Sequence, residues 1–209
     1  LSENRQKVFD KKTKTGCLGC LTIIVIVVII AVIATWHNNG AREKAFNWSG
    51  SEITVDTVKK ALEQQAPVEP VFSDGDFPRD ITKIEIIDNV VKSGKKNILI
   101  YYKPKTFWDE TDFVKRVGGT AIQVGSVLFA NSKVEDIALF AQTEMTDQYG
   151  KTSLDVGTSI WLSREMAKKV DWKGLADRHA EDPTNIYHLA EKYYIHPGIL
   201  KNVNPNCQP

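Results

Sequence analysis

An uncharged run from Gly16 to Trp36 constrains this chain more than any other stretch. Its centre, from Ile23 to Ile33, is built of Ile, Val and one Ala. At helical rise such a run covers about 30 Å, the thickness of a bilayer's hydrocarbon core. A bilayer offers backbone groups no water, so the expectation is a single transmembrane helix and a lipid bilayer as partner through residues 16–36. A cleaved signal peptide is the competing reading, because Val32-Ile33-Ala34 has small residues where a signal peptidase needs them. Against it, the run exceeds the roughly 7–15 apolar residues of a signal core. Whether residues 16–34 are cleaved stays open.

Charge sets the expected orientation. The tail before the run holds Arg5, Lys7, Lys11, Lys12 and Lys14 against Glu3 and Asp10. Positive flanks stay cytoplasmic, so the body of the chain is expected outside a plasma membrane. The expected organisation is a basic tail (1–15), an anchor (16–36), a spacer with one helix (37–80), an α+β domain (81–170) and a helical segment (171–209). Beyond the anchor there are 22 Lys+Arg and 24 Asp+Glu, a net charge of −2. That balance lacks the electrostatic footprint of a nucleic-acid binder.

Cys17 and Cys20 stand at the cytoplasmic edge of the run, and Cys207 lies near the end. Juxtamembrane cysteines are candidates for acylation. Two small apolar residues opening a membrane segment explain the same pair. A redox or zinc role lacks a second pair of ligands nearby.

In the spacer, His37, Phe46 and Trp48 interleave with polar residues, as in a segment lying at a membrane surface. Asn47-Trp48-Ser49 matches a glycosylation sequon. Val55, Val58 and Leu62 fall at helical spacing, and Pro67 and Pro70 stop that helix. Asp74, Asp76 and Asp80 occupy a loop in which turn chemistry explains carboxylates better than calcium does.

Ile84 and Ile86 alternate with charges in a half-buried strand, and Asn97–Lys103 is apolar on both faces. The turn Lys92-Ser93-Gly94-Lys95 joins them as a hairpin. A helix is expected from Thr106 as N-cap to Phe129, with Phe113, Val117, Ala121, Val124 and Leu128 on one stripe. Gly118-Gly119 signals either close backbone approach to the sheet or a break into two helices. Strands around Ile137–Gln142 and Leu154–Leu162 flank a turn at residues 147–151. The order strand-strand-helix-strand-strand predicts an antiparallel α+β layer with a C-terminal helical segment. Ser163 is expected to cap a helix through Val170, and Asp182-Pro183 to open another.

Ile186, Leu189-Ala190, Tyr193, Pro197, Leu200 and Asn204-Pro205 give residues 186–205 a pattern that resembles the second half of a LysM module. The family's first strand and Gly-Asp turn have no counterpart in 171–180. The resemblance implies binding of N-acetylglucosamine-containing glycans such as peptidoglycan. Tyr193, Tyr194 and His196 form the expected binding surface, since an aromatic there can stack on a sugar or meet a protein.

No His-Glu-x-x-His and no Gly-x-Ser-x-Gly occurs. His188 and Glu191 share a helix face, and Glu144, Asp147 and Asp155 flank a turn. Packing and turn geometry account for both groups. No catalytic residue, metal or cofactor is therefore expected. The leading function class is a non-catalytic interaction domain outside a bacterial membrane, serving an envelope assembly with a protein partner. A cell-wall glycan binder is the alternative, and an envelope enzyme the third.

Overall fold

The computed structural model describes residues 46–64, 79–104 and 107–209. The apolar run with Cys17 and Cys20, the residues Pro67, Pro70, Asp74 and Asp76, and the expected cap Thr106 lie outside them. Five strands form one sheet in sequence order: β1 (Ile81–Asp88), β2 (Lys96–Tyr102), β3 (Val134–Thr146), β4 (Thr152–Ser163) and β5 (Lys192–Ile195).

The pairing corrects the expected antiparallel layer. β1–β2, β3–β4 and β4–β5 are antiparallel, but β2–β3 is parallel, so the sheet is mixed. The reason is length. Helix α2 (Glu110–Leu128) has 19 residues and follows α1 (Val55–Gln64). Nineteen residues at 1.5 Å each span about 28 Å, enough to return the chain along the whole of β2. β3 therefore starts from the same end as β2, as a strand-helix-strand crossover requires. The expected all-helical C-terminal segment is also corrected. Lys192-Tyr193-Tyr194-Ile195 adds to the free edge of β4, where aromatic and β-branched residues gain main-chain bonds. Short helices surround it: α3 (Arg164–Ala167), α4 (Trp172–Arg178), α5 (Asn185–Leu189) and α6 (Pro197–Leu200). Among the described residues no helix is long and apolar enough to cross a membrane. The described residues thus form an α+β domain with a five-stranded mixed sheet, in place of the expected antiparallel layer, and the expected transmembrane segment 16–36 lies outside them.

Strand alternation puts Ile98, Ile100, Tyr102, Ile137, Leu139, Ala141, Ile160 and Leu162 on one buried face. α2 covers that face with Phe113, Val117, Val124 and Leu128. Its N-cap is Asp109, whose side chain accepts from the Asp112 amide at 2.8 Å. α2 runs unbroken through Gly118-Gly119. A Cβ at Gly118 would lie 2.9 Å from the Pro183 carbonyl oxygen and 3.2 Å from the His179 ring. The close approach is therefore to the segment before α5, not to the sheet. With α1, α4 and α5 on its outer side, α2 is buried nearly all round, which explains its apolar residues beyond a single stripe.

Trp48 corrects the expected membrane-surface spacer. It is 0% exposed, and its indole donates to the Leu128 carbonyl at 3.1 Å. Asn131 Nδ2 donates in turn to the carbonyls of Trp48 (2.8 Å) and Ser51 (3.0 Å). The compact unit accordingly runs from Phe46 to Pro209. At the same end, the Arg164 guanidinium donates to the carbonyls of Phe129, Asn131 and Val134 and lies over the Phe129 ring. It satisfies acceptors left unpaired where a helix stops. Ser163 caps α3, but that helix ends at Ala167, short of Val170. α5 opens at Asn185 behind Thr184, two residues after the expected proline start.

Candidate functional site

β3 and β4 outrun their neighbours. β2 ends opposite Ala141 and β5 ends opposite Thr158, while β3 and β4 stay paired out to Thr146 and Thr152. A two-stranded ribbon therefore overhangs this end of the sheet. The chain entering α2 and the turn from β5 into α6 arrive at the same end. Between the three lies a cleft of ≈ 500 Å³. Phe107, Trp108, Phe113, Met145, His196 and Ile199 line it, with Asp109, Glu110, Glu144 and Lys201 among its charged residues.

Each wall has a local cause. Phe107 packs its edge on Phe113 at 5.0 Å, and the Trp108 amide donates to Asp112 Oδ2 at 3.0 Å. With its backbone tied and Phe107 turned inward, Trp108 points out and is 89% exposed. His196 caps α6, its Nδ1 accepting from the Gly198 amide at 3.0 Å. Gly157 lets α6 lie against β4, since a Cβ there would meet Ile199 at 2.7 Å and Phe113 at 3.0 Å. Asn202 Nδ2 donates to Glu110 Oε1 at 2.9 Å, joining α6's far end to α2. Glu144 is paired with Lys103 at 2.7 Å, and that hydrogen bond lowers its carboxyl below the usual range.

The sequence-expected surface is divided by strand geometry. Successive side chains of a strand point to opposite faces. Tyr193 joins the helical side, edge-on to Tyr187 at 5.4 Å, its hydroxyl donating to the Pro209 carbonyl at 3.2 Å. Tyr194 stands on the other face, 43% exposed, edge-on to His196 at 6.5 Å. On that face a ladder crosses the strands. Lys83 lies over Tyr101, Tyr101 stacks on Phe140 at 4.5 Å, Phe140 meets Trp161 edge-on at 5.3 Å, and Lys192 lies over Trp161. These rings spend their faces on one another and on lysine, leaving little flat surface for a ligand.

The other candidates are distributed elsewhere. His188 and Glu191 line a second cavity of ≈ 560 Å³, where β4 finishes. Asp147 holds its turn by accepting from the amides of Tyr149 and Lys151, and Asp155 accepts from the Val156 amide. His179 is buried against α2, its Nε2 3.0 Å from the Lys115 carbonyl, and burial pushes its pKa down. Among the described residues no three His, Cys, Asp or Glu side chains gather closely enough to hold a metal. Residues 186–205, which resemble half a LysM module, fold as α5, β5, α6 and a final 3₁₀ turn.

Sequence reasoning passed over Trp108. Its neighbours Asp109 and Glu110 were legible as a helix start, and the Phe107-Trp108 pair before them was the available signal. Two adjacent aromatics at a helix entrance cannot both turn inward. No protein-family model matches this chain, and neither a curated protein nor a solved structure matches it.

Proposed function

We propose that this protein is a membrane-held interaction protein whose outer domain docks a protein partner at the ribbon end of its sheet. The single observation that carries the docking surface is Trp108, standing 89% exposed beside a ≈ 500 Å³ cleft on a tied backbone. Tryptophan is among the residues most enriched where truncation costs an interface most. The Trp108 amide's bond to Asp112 already fixes the backbone there, so binding has only the side-chain rotamers left to order. Membrane attachment rests on the uncharged length of 16–36, and the outward orientation on the five basic residues of the tail. An envelope assembly is the setting that suits such a layout, by analogy of architecture alone.

Site-specific photocrosslinking in the producing cell tests the docking surface. A photoreactive residue at position 108 is expected to give a discrete protein adduct, whereas one at Val90, an exposed residue of the β1–β2 turn, gives none. Adducts at 90 and none at 108 would reverse the assignment. A second reading, glycan binding, is favoured by Tyr194, whose ring is partly free beside His196 at the same end of the sheet. Retention on peptidoglycan that disappears in Tyr194→Ala and persists in Trp108→Ala would select it.

A further inference from the structure

Among the described residues, four aromatic rings carry one of the chain's own cations on a face. Lys60 covers Phe46, Lys83 covers Tyr101, Arg164 covers Phe129 and Lys192 covers Trp161, at 4.5–5.5 Å from the ring centres. Trp108, the most exposed aromatic of the domain, has neither a cation nor a ring on it among the described residues. Indole is the strongest ring for a cation.

The charges next to it in the chain are the complement of a cation, while Lys115 lines the adjoining cavity on its other side. Asp109 and Glu110 follow Trp108 directly, and both are placed by hydrogen bonds from uncharged donors. Glu144 is balanced by Lys103. Among the described residues Lys201 is the single lysine or arginine lining the cleft. The cleft is also apolar behind the tryptophan, where Phe107, Met145 and Ile199 gather. A bare metal ion would find no three-ligand cluster among the described residues, and a strip of carboxylates repels an anionic lipid surface.

Resting on the docking reading above, we propose that the cleft takes a partner protein's segment bearing an arginine or lysine next to an apolar side chain. The cation lies over the Trp108 ring and is balanced by Asp109 and Glu110. The apolar side chain enters between Phe107, Met145 and Ile199.

The test measures fluorescence anisotropy of labelled twelve-residue peptides with the full chain in lipid nanodiscs. One peptide carries Arg-Leu pairs in a Gly-Ser background, one Glu-Leu pairs and one Arg-Ser pairs. The Arg-Leu peptide is expected to bind at least tenfold more tightly than the other two. Trp108→Ala should weaken it at least tenfold. Asp109→Asn with Glu110→Gln should weaken it about fivefold, because asparagine still caps α2 and glutamine still accepts from Asn202. Unchanged thermal unfolding of both variants separates these losses from misfolding.

Glu-Leu binding as tight as Arg-Leu, still lost in Trp108→Ala, would overturn the cationic partner and leave the docking end in place. Peptide binding that Trp108→Ala does not alter, or no binding of any peptide at 1 mM (about −4 kcal/mol), would overturn both.

Discussion

Trp48→Ala is expected to remove about 4 kcal/mol of stability. Truncating a fully buried large aromatic to alanine costs roughly 3–5 kcal/mol, and Trp48 is 0% exposed among the described core residues. The indole hydrogen bond to the Leu128 carbonyl adds about 1 kcal/mol at most. The carbonyl is not orphaned by its loss, because the Asn131 amide also donates to it at 3.2 Å. Against the 5–15 kcal/mol typical of a domain, the variant should still fold but with a narrow margin. Urea unfolding of the full chain, followed by far-ultraviolet circular dichroism, measures this directly. With a slope of about 2 kcal/mol/M the midpoint should fall by about 2 M. Trp48→Phe should lose about half as much, since most of the volume stays while the N–H goes. A loss under about 1 kcal/mol for Trp48→Ala would show that the residue is not part of the core, and that the domain starts after it.

Leu128→Ala, at another fully buried position where α2 meets the sheet, should cost about 2–5 kcal/mol by the same titration; a loss below about 0.5 kcal/mol would refute the packing of that stripe. His179 makes stability depend on pH: burial holds its folded pKa below the ordinary 6.5, so the unfolded chain takes up a proton first. Its contribution is complete above about pH 6.5 and is lost as pH falls from there through the folded value, by up to about 1.4 kcal/mol per pH unit. His179→Gln, which keeps a donor toward the Lys115 carbonyl, should flatten that slope in unfolding titrations between pH 7 and 5, and an unchanged slope would place the titration elsewhere. Tyr194→Ala should shift stability by less than about 0.5 kcal/mol, as expected for a side chain 43% exposed at a sheet edge; a larger loss makes the residue structural and removes it as a contact. In a Cys17→Ser, Cys20→Ser background, Cys207, a free and partly exposed thiol, should take a membrane-impermeant maleimide in intact cells. Labelling only after lysis would reverse the proposed orientation.

Several features were decided by local chemistry and could be read from the chain. Alternation of apolar residues with charged ones around Ile84, and of residues such as Leu154 and Ile160 with Asp155 and Ser159 on the way to Leu162, dictates strands whatever their partners, because a strand repeats every second residue. The stripe from Phe113 to Leu128 dictates a helix that must cover a sheet, and Asp147 dictates a turn by bonding its own neighbours' amides. The missing catalytic motifs and the balanced charge depend only on composition. Other features arise between distant residues. The parallel pairing of β2 with β3 follows from the distance α2 travels relative to the strand beside it. β5 is four residues long, too short for any period to show, and exists because β4 had an unpaired edge. Gly118 was legible as a close approach, but the atoms approaching it come from Pro183 and His179, some sixty residues away.

The candidate site divides in the same way. Tyr193, Tyr194 and His196 were legible as exposed-aromatic candidates, but their separation onto two faces required the strand. Trp48 and Trp108 show the limit most clearly. Each lies in a polar stretch with an aromatic close by, and nothing in either stretch separates them. One is enclosed by Leu128 and Asn131, and the other stands in solvent beside the ribbon. Sequence alone determined that both rings are large, apolar and able to donate one hydrogen bond. Only the tertiary structure decided which ring the core would take, because burial depends on surfaces brought together from eighty residues apart.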